Sequence, residues 1–317
     1  MSITPRAPLH ITASVHARLP DALRMSRHSG WSLARGAGVL HSFLEGPAFD
    51  RRGHLFMTDV CHGRILHLSP GGDWSVFSDQ FCQPNGIAIH CDGRLFVADQ
   101  ALGIVAIDAA SGDFLQRWDR DDSGQRLRAP NDLVFATNGD LLFTDPGHST
   151  LNDPHGCVYR LPADGMPTRV LSGLPFPNGL ALMPGENALC VAVTRSLQVL
   201  RAHWQHGHAS NLGVYVQLSG GLAGPDGLAC ATDGSLVIAH SGLGAVWLCN
   251  PLGDVVARIQ SPAGIRSTNV AFGVEDPHEL FITESEHGVV LKVRLPVAGL
   301  PLLSHAQAPQ PQGDNRP

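Results

Sequence analysis

Six short apolar segments of this chain each open on a side chain that carries a carbonyl or carboxylate oxygen. The openings are Glu45-Gly46-Pro47, Asn85-Gly86-Ile87, Asn131-Asp132-Leu133, Asn178-Gly179-Leu180, Asp226-Gly227-Leu228 and Asn269-Val270-Ala271, spaced 40 to 48 residues apart. Brought together, Glu45, Asn131, Asn178 and Asp226 would offer two carboxylates and two amide oxygens. That donor set suits a hard divalent cation such as calcium or magnesium better than zinc, because it contains neither His nor Cys. A divalent cation with open positions polarises a carbonyl or phosphoryl oxygen and acidifies bound water, which is the chemistry of ester-type hydrolysis. Asp226 is then the candidate catalytic group, as proton acceptor from water or as direct nucleophile.

Something must carry six distant residues to one place. A repeat of this length is the signature of a closed ring of small sheets. In four units a turn glycine (Gly53, Gly93, Gly139, Gly234) stands eight positions after the opening residue. Asn-Gly and Asp-Gly between apolar runs are strong hairpin signals, since both turn positions need positive φ. Units four and six carry Pro184-Gly185-Glu186-Asn187 and Glu275-Asp276-Pro277-His278 at that place, which reads as a longer hairpin. A nearly continuous apolar strand follows each turn, as in Leu95-Phe96-Val97-Ala98-Asp99, and a third and fourth strand come after it. Four antiparallel strands per unit and six units predict an all-β, six-bladed β-propeller. Its innermost strands would begin around one mouth of a central channel.

The expected organisation is a lead-in over residues 1–38 with a candidate ring-closing strand, a propeller over 39–300, and a disordered tail over 301–317 that is rich in Pro, Gln and Ala at its end. A net charge of −6 without long runs argues against nucleic acid or an anionic membrane as partner. No segment reaches the roughly 18 apolar residues of a membrane helix, and the first residues lack the pattern of a secretory signal. The seven cysteines are scattered, so reduced thiols in the cytoplasm are expected. Nothing in the chain speaks to oligomeric state.

Five of the openings also resemble those of a known family, that of senescence marker protein, gluconolactonase and luciferin-regenerating enzyme. The residues that carry the likeness are Leu44-Glu45-Gly46-Pro47, Pro130-Asn131-Asp132, Phe176-Pro177-Asn178-Gly179-Leu180, Gly224-Pro225-Asp226-Gly227 and Thr268-Asn269-Val270-Ala271-Phe272-Gly273. The resemblance implies a six-bladed propeller holding one catalytic divalent ion, calcium first, with magnesium, manganese or zinc as alternatives. It implies Glu45, Asn178 and Asp226 as metal ligands, with Asn131 as ligand or near-ligand, and Asp226 as base or nucleophile. It implies a small lactone as substrate. An organophosphate hydrolase at the same site, or a non-catalytic binding propeller, are the competing functions.

Singly, each asparagine also reads as a cap that binds local backbone. Asn85 and His148 are the candidate substrate contacts. Asp132, next to Asn131, would face away from it on a regular strand and is expected to be structural or to support the ligands. The repeated acids Asp59, Asp99, Asp145 and Glu284, at the ends of second strands, are expected to bind the backbone of the next blade. His240 occupies the same strand-end position. The cluster His203, His206 and His208 is expected in an exposed loop between blades.

Overall fold

Each repeat folds into one antiparallel sheet, because its apolar runs are too short for helices and are separated by residues that turn the chain. The computed structural model describes residues 7–306. Blade one comprises Leu44–Phe49, Leu55–Asp59, Arg64–Leu68 and Trp74–Ser78, paired in that order from the inside out. Blades two to five repeat the plan, with inner strands Pro84–Ile89, Leu133–Phe135, Pro177–Leu182 and Gly224–Cys230. Blade six has Ser267–Phe272, Glu279–Glu284 and Val289–Arg294, and its fourth strand is the N-terminal Ser14–Arg18, antiparallel to Val289–Arg294. Leu9–Thr12, just before it, pairs in parallel with the outermost strand of blade five, Val255–Gln260. One short N-terminal segment thereby ties the last two blades together.

The core is divided among the seams. Six apolar clusters are each shared by two neighbouring blades. Between blades one and two, for example, Phe56 and Ile65 pack with Ile87 and Val97. This accounts for the unbroken apolar runs of the second strands, which are covered on both faces. Among the described residues no helix is long and apolar enough to cross a membrane.

The acids at the ends of second strands are structural, but they act within their own blade. Asp99 accepts from the backbone N–H groups of Cys82, Gln83, Ala101 and Leu102 at 2.8–2.9 Å. Asp145 accepts from Arg128 and Ala129, and Asp59 from Phe43 and from Arg64 Nε. Each carboxylate fixes the segment that leads into its own inner strand, so it sets where the opening residue falls. His240, at the equivalent position, binds Gly220 O and Trp247 Nε1.

Two other expectations change. His203, His206 and His208 do not lie in a loop between blades. They belong to a hairpin of Gln198–Gln205 and His208–Gln217, the outer strands of blade four. Residues 301–306 are not part of a loose tail, since Leu303–His305 forms a 3₁₀ turn that lines the central channel. The rest of that expected tail, 307–317, lies outside the described residues. All seven cysteines are free.

Candidate metal centre

The six opening residues all lie buried at the start of the inner strands, Glu45 at 4% exposure and Asp226 at 8%. Their placement rests on a defect in the ladders. The pairing register slips at the opening residue, between Glu45 and Ala48, Pro84 and Ile87, Pro177 and Leu180, Pro225 and Leu228, and Ser267 and Asn269. A slip of this kind frees the bulged residues from strict alternation. A set of hydroxyl bridges then locks one blade's opening to its neighbour. Thr58 Oγ1 donates to Asn85 O, Thr144 Oγ1 to Asn178 O, Thr194 Oγ1 to Pro225 O, and Thr268 Oγ1 to Leu44 O, at 2.7–2.9 Å. Between blades two and three the bridge is Gly86 N to Asn131 O at 2.7 Å.

The inner strands approach one another so closely here that a side chain is excluded at the glycines that follow Glu45, Asn85, Asn178 and Asp226. A Cβ on Gly179 would lie 2.3 Å from Asp226 O, and one on Gly227 would lie 1.9 Å from Asn269 Oδ1. At Gly179 the obstacle is backbone and cannot swing away. Gly179→Ala is expected to cost about 2 kcal/mol by overpacking, lowering the thermal midpoint by about 3 °C. An unchanged midpoint in a thermal scan would contradict the close approach.

Three carboxylates dominate the electrostatics. Burial pushes Glu45 up to about 8, and the nearby Asp132 carboxylate adds to the rise. Asp132 itself is pushed up to about 6 by burial. Asp226 is raised well above the usual carboxylate range by burial, then by Glu45 and Asp132, against opposing hydrogen bonds from Asn178 and Ser241. The groups that act most strongly on these three carboxyls are one another and the hydrogen-bond partners Gly46, Leu133, Asn178, Ser241 and Asn269, with no Lys or Arg among them. Around them, Asn178 Nδ2 donates to Thr194 Oγ1 at 3.2 Å, which identifies its Oδ1 as the acceptor end of the amide. Asn131 Oδ1 is buried and has no hydrogen-bond partner among the described residues. Mutually repelling carboxylates and an orphaned amide oxygen are what a hard cation would satisfy, so the residues present fit a divalent ion of the calcium type.

Asp132 is the residue the sequence reading undervalued. It precedes the ladder of its short strand, so strand alternation does not turn it away. Its Oδ1 accepts from Leu133 N, and its Oδ2 from Asn269 Nδ2 of blade six at 3.2 Å. This contact spans 137 residues of sequence and crosses the channel. Asn269 is thus a positioning group for Asp132. Asn85 is buried at the same level. His148 is exposed, sits at φ 65°, and lies on the loop after the second strand of blade three.

Among the described residues, two sets of three His, Cys, Asp or Glu side chains bring their ligand atoms within 4.8 Å of one another: Asp59, Cys61 and His62, and Glu284, Glu286 and His287; the carboxylates of Glu45, Asp132 and Asp226 are spread more widely than that. Neither resembles a metal centre. Asp59 is paired with Arg64 at 2.9 Å, and burial pushes the Cys61 thiol far up, so it stays protonated. Glu284 spends its oxygens on the N–H groups of Glu286 and His287.

A six-bladed propeller whose channel mouth gathers acids and amides defines a class of protein, and the comparisons narrow it. Residues 43–286 match the family described as the SMP-30/Gluconolactonase/LRE-like region, and the chain belongs to that family. The lactonase drp35 of Staphylococcus aureus is 31% identical over 264 residues, covering 77% of this chain and 78% of that protein. A gluconolactonase of Zymomonas mobilis is 29% identical over 290 residues, covering 80% and 79%. Among solved structures, a gluconolactonase of Xanthomonas campestris superposes with a TM-score of 0.71 at 27% identity, covering 93% of this chain and 99% of its own. The calcium-binding protein regucalcin of Agrobacterium tumefaciens shares the fold, with a TM-score of 0.74 at 20% identity over 92% of this chain and 97% of that one.

Proposed function

We propose that this protein is a metal-dependent lactonase that opens the ring of a sugar-acid lactone or another small hydroxy-acid lactone. The cation, calcium in the first instance, is held by Glu45, Asn131, Asn178 and Asp226. One observation carries the reading: Glu45, Asp132 and Asp226 are buried within reach of one another's charge with no basic partner among the described residues, and Asn131 Oδ1, from the same ring of opening residues, is buried with no hydrogen-bond partner among them. The family membership and the lactonase names of the relatives support the reaction class.

When bound, the cation supplies Lewis-acid polarisation of the lactone carbonyl and acidification of water. The chain's own part is to bind and position. Asp226 takes a proton from the attacking water, or attacks the carbonyl carbon itself; in the second route the acyl C–O bond of the ring breaks, the ring oxygen leaves as the product's hydroxyl, and water then hydrolyses the resulting anhydride to free the acid and restore the Asp226 carboxylate. Asn178 and Ser241 hold the Asp226 carboxyl by hydrogen bonds. Asp132, steered by Asn269, adds negative charge that keeps Asp226 basic. Asn85 and the loop bearing His148 contact the substrate. The free thiols fit a reducing compartment, and we place the protein in the cytoplasm.

The test is a pH-stat panel of aldonolactones and simple γ- and δ-lactones, run with and without EDTA and with calcium, magnesium, manganese or zinc added back. Hydrolysis that disappears with chelator and returns with calcium is expected. Full activity in metal-free protein, or turnover of organophosphates with no lactone opened, would refute the reading.

A further inference from the structure

The face of the propeller that carries the opening residues has two unlike sides. Blade three presents Arg128 and His148 there, both exposed. Blades five and six present hydrocarbon. Across residues 218–225, 242–245 and 262–265 the only side chain with a hydrogen-bonding group is Ser219. Within these segments Leu222 is 85% exposed and Ile265 is 42% exposed.

Backbone bonds join the three segments next to Asp226. Ser241, whose side chain hydrogen-bonds the Asp226 carboxyl, is paired with Gly224 in the ladder of blade five. The following residue, Gly242, accepts from Leu222 N at 3.0 Å and donates to Ile265 O at 2.9 Å. Gly244 N donates to Ile265 O as well, and Gly244 O accepts from Ser261 N. A Cβ on Gly221 would lie 3.3 Å from Leu243 Cβ, so Leu243 adjoins the same loop. The loop is anchored from below by the buried His240. Its Nδ1 accepts from Trp247 Nε1, so its proton is on Nε2, which donates to Gly220 O at 3.1 Å. These backbone donors and acceptors are spent on one another. What they leave for a ligand is the apolar surface of Leu222, Leu243 and Ile265.

Adjacent strands lie about 5 Å apart. The patch therefore begins one strand's width outside Asp226, where a substituent of a lactone ring falls rather than the ring itself. A polyhydroxylated substituent would lose water there and find no partners, which is costly. An alkyl substituent would cover hydrocarbon that is otherwise exposed.

We infer that the substrate is a γ- or δ-lactone with an alkyl substituent, which lies along Leu222, Leu243 and Ile265 while the ring carbonyl meets Asp226. This rests on the lactonase reading and narrows it from sugar lactones to alkyl lactones.

The probes are γ-butyrolactone, γ-hexalactone, γ-octalactone and glucono-δ-lactone, hydrolysed by the full-length protein in calcium, with EDTA controls. Each added methylene is expected to raise kcat/KM about twofold, against the about fourfold of complete burial, so γ-octalactone exceeds γ-butyrolactone by about 16-fold. The gain falls mainly in KM, and the gluconolactone is slower than γ-octalactone. Leu222→Ser and Ile265→Ser, both at exposed positions, each lower the octalactone-to-butyrolactone ratio about threefold, with cooperative thermal unfolding retained. EDTA-sensitive hydrolysis with a flat or falling series, a preference for the gluconolactone, or a ratio that survives both variants overturns the inference and leaves the lactonase reading standing. A flat series together with a dimer that Leu222→Ser dissociates in sedimentation assigns the patch to a second copy and overturns it too. Failure to open any lactone overturns both.

Discussion

Asp226→Asn loses lactone hydrolysis by about 10²–10⁴-fold, the usual contribution of a positioned proton acceptor, and in chelator it is more stable than the native protein at pH 8. The two effects have one origin. Asp226 is a buried carboxyl whose ionised form is opposed by burial and by the charges of Glu45 and Asp132. Without a cation that repulsion is a liability to the fold, and a neutral side chain of the same shape relieves it. Asparagine keeps the size and one acceptor oxygen, so Asn178 and Ser241 retain a partner. The native protein is therefore the less stable of the two when stripped of metal, and the more strongly stabilised when calcium is returned. Steady-state kinetics on a lactone, with thermal scans in EDTA and in calcium, measure both. A variant that retains native turnover removes Asp226 from the chemistry. A variant that loses stability in EDTA shows that its charge was compensated in the fold.

The blades were readable in the sequence because each repeat presents an opening polar residue, a turn and an apolar run in fixed order, and because seams buried on both faces demand continuous apolar strands. The placing of Glu45, Asn131, Asn178 and Asp226 at one end of the inner strands was readable for the same reason, since equivalent positions in a ring converge. Asp132 was misjudged because period-two alternation was applied to a residue that precedes its strand. Its contact with Asn269 links the third and sixth blades, and no local pattern announces such a pair. The hydroxyl bridges from Thr58, Thr144, Thr194 and Thr268 passed unremarked, since threonine on a strand is ordinary until the neighbouring blade's carbonyl is seen above it. The strand-end acids were recognised as architectural, but their partners were placed one blade too far. Composition alone suggested a loose end from residue 301, whereas Leu303–His305 is retained by the channel. The histidines of blade four were read as a loop because a hairpin turn at His206-Gly207 interrupts strands whose outer faces are polar.

Calcium raises the thermal midpoint of this protein far more at pH 8 than at pH 5.5, and metal-free protein shows the opposite trend, losing stability as pH rises. The sign follows from the direction of the shifts. Glu45, at about 8, and Asp132, at about 6, lie above their unfolded values near 4, and Asp226 is raised as well. A carboxyl whose folded pKa is raised favours the folded state below its unfolded value, and that contribution is lost as pH climbs through the folded value. The metal-free fold should therefore weaken between about pH 4 and pH 8 on account of these groups. A bound cation reverses their preference, since it requires the ionised forms. Binding then releases protons, and the apparent affinity rises by about tenfold per pH unit for each proton released. At a hundredfold excess over Kd the linkage is worth about 2.7 kcal/mol, or about 4 °C for a chain of this size. Scanning calorimetry at pH 5.5, 7 and 8, in EDTA and in calcium, together with proton release measured in weak buffer, tests the scheme. Asp226→Asn should flatten the metal-free slope, because one repelling charge is gone. A midpoint indifferent to chelator at pH 8, or calcium binding without proton release at pH 6, would mean that these carboxylates do not share an ion.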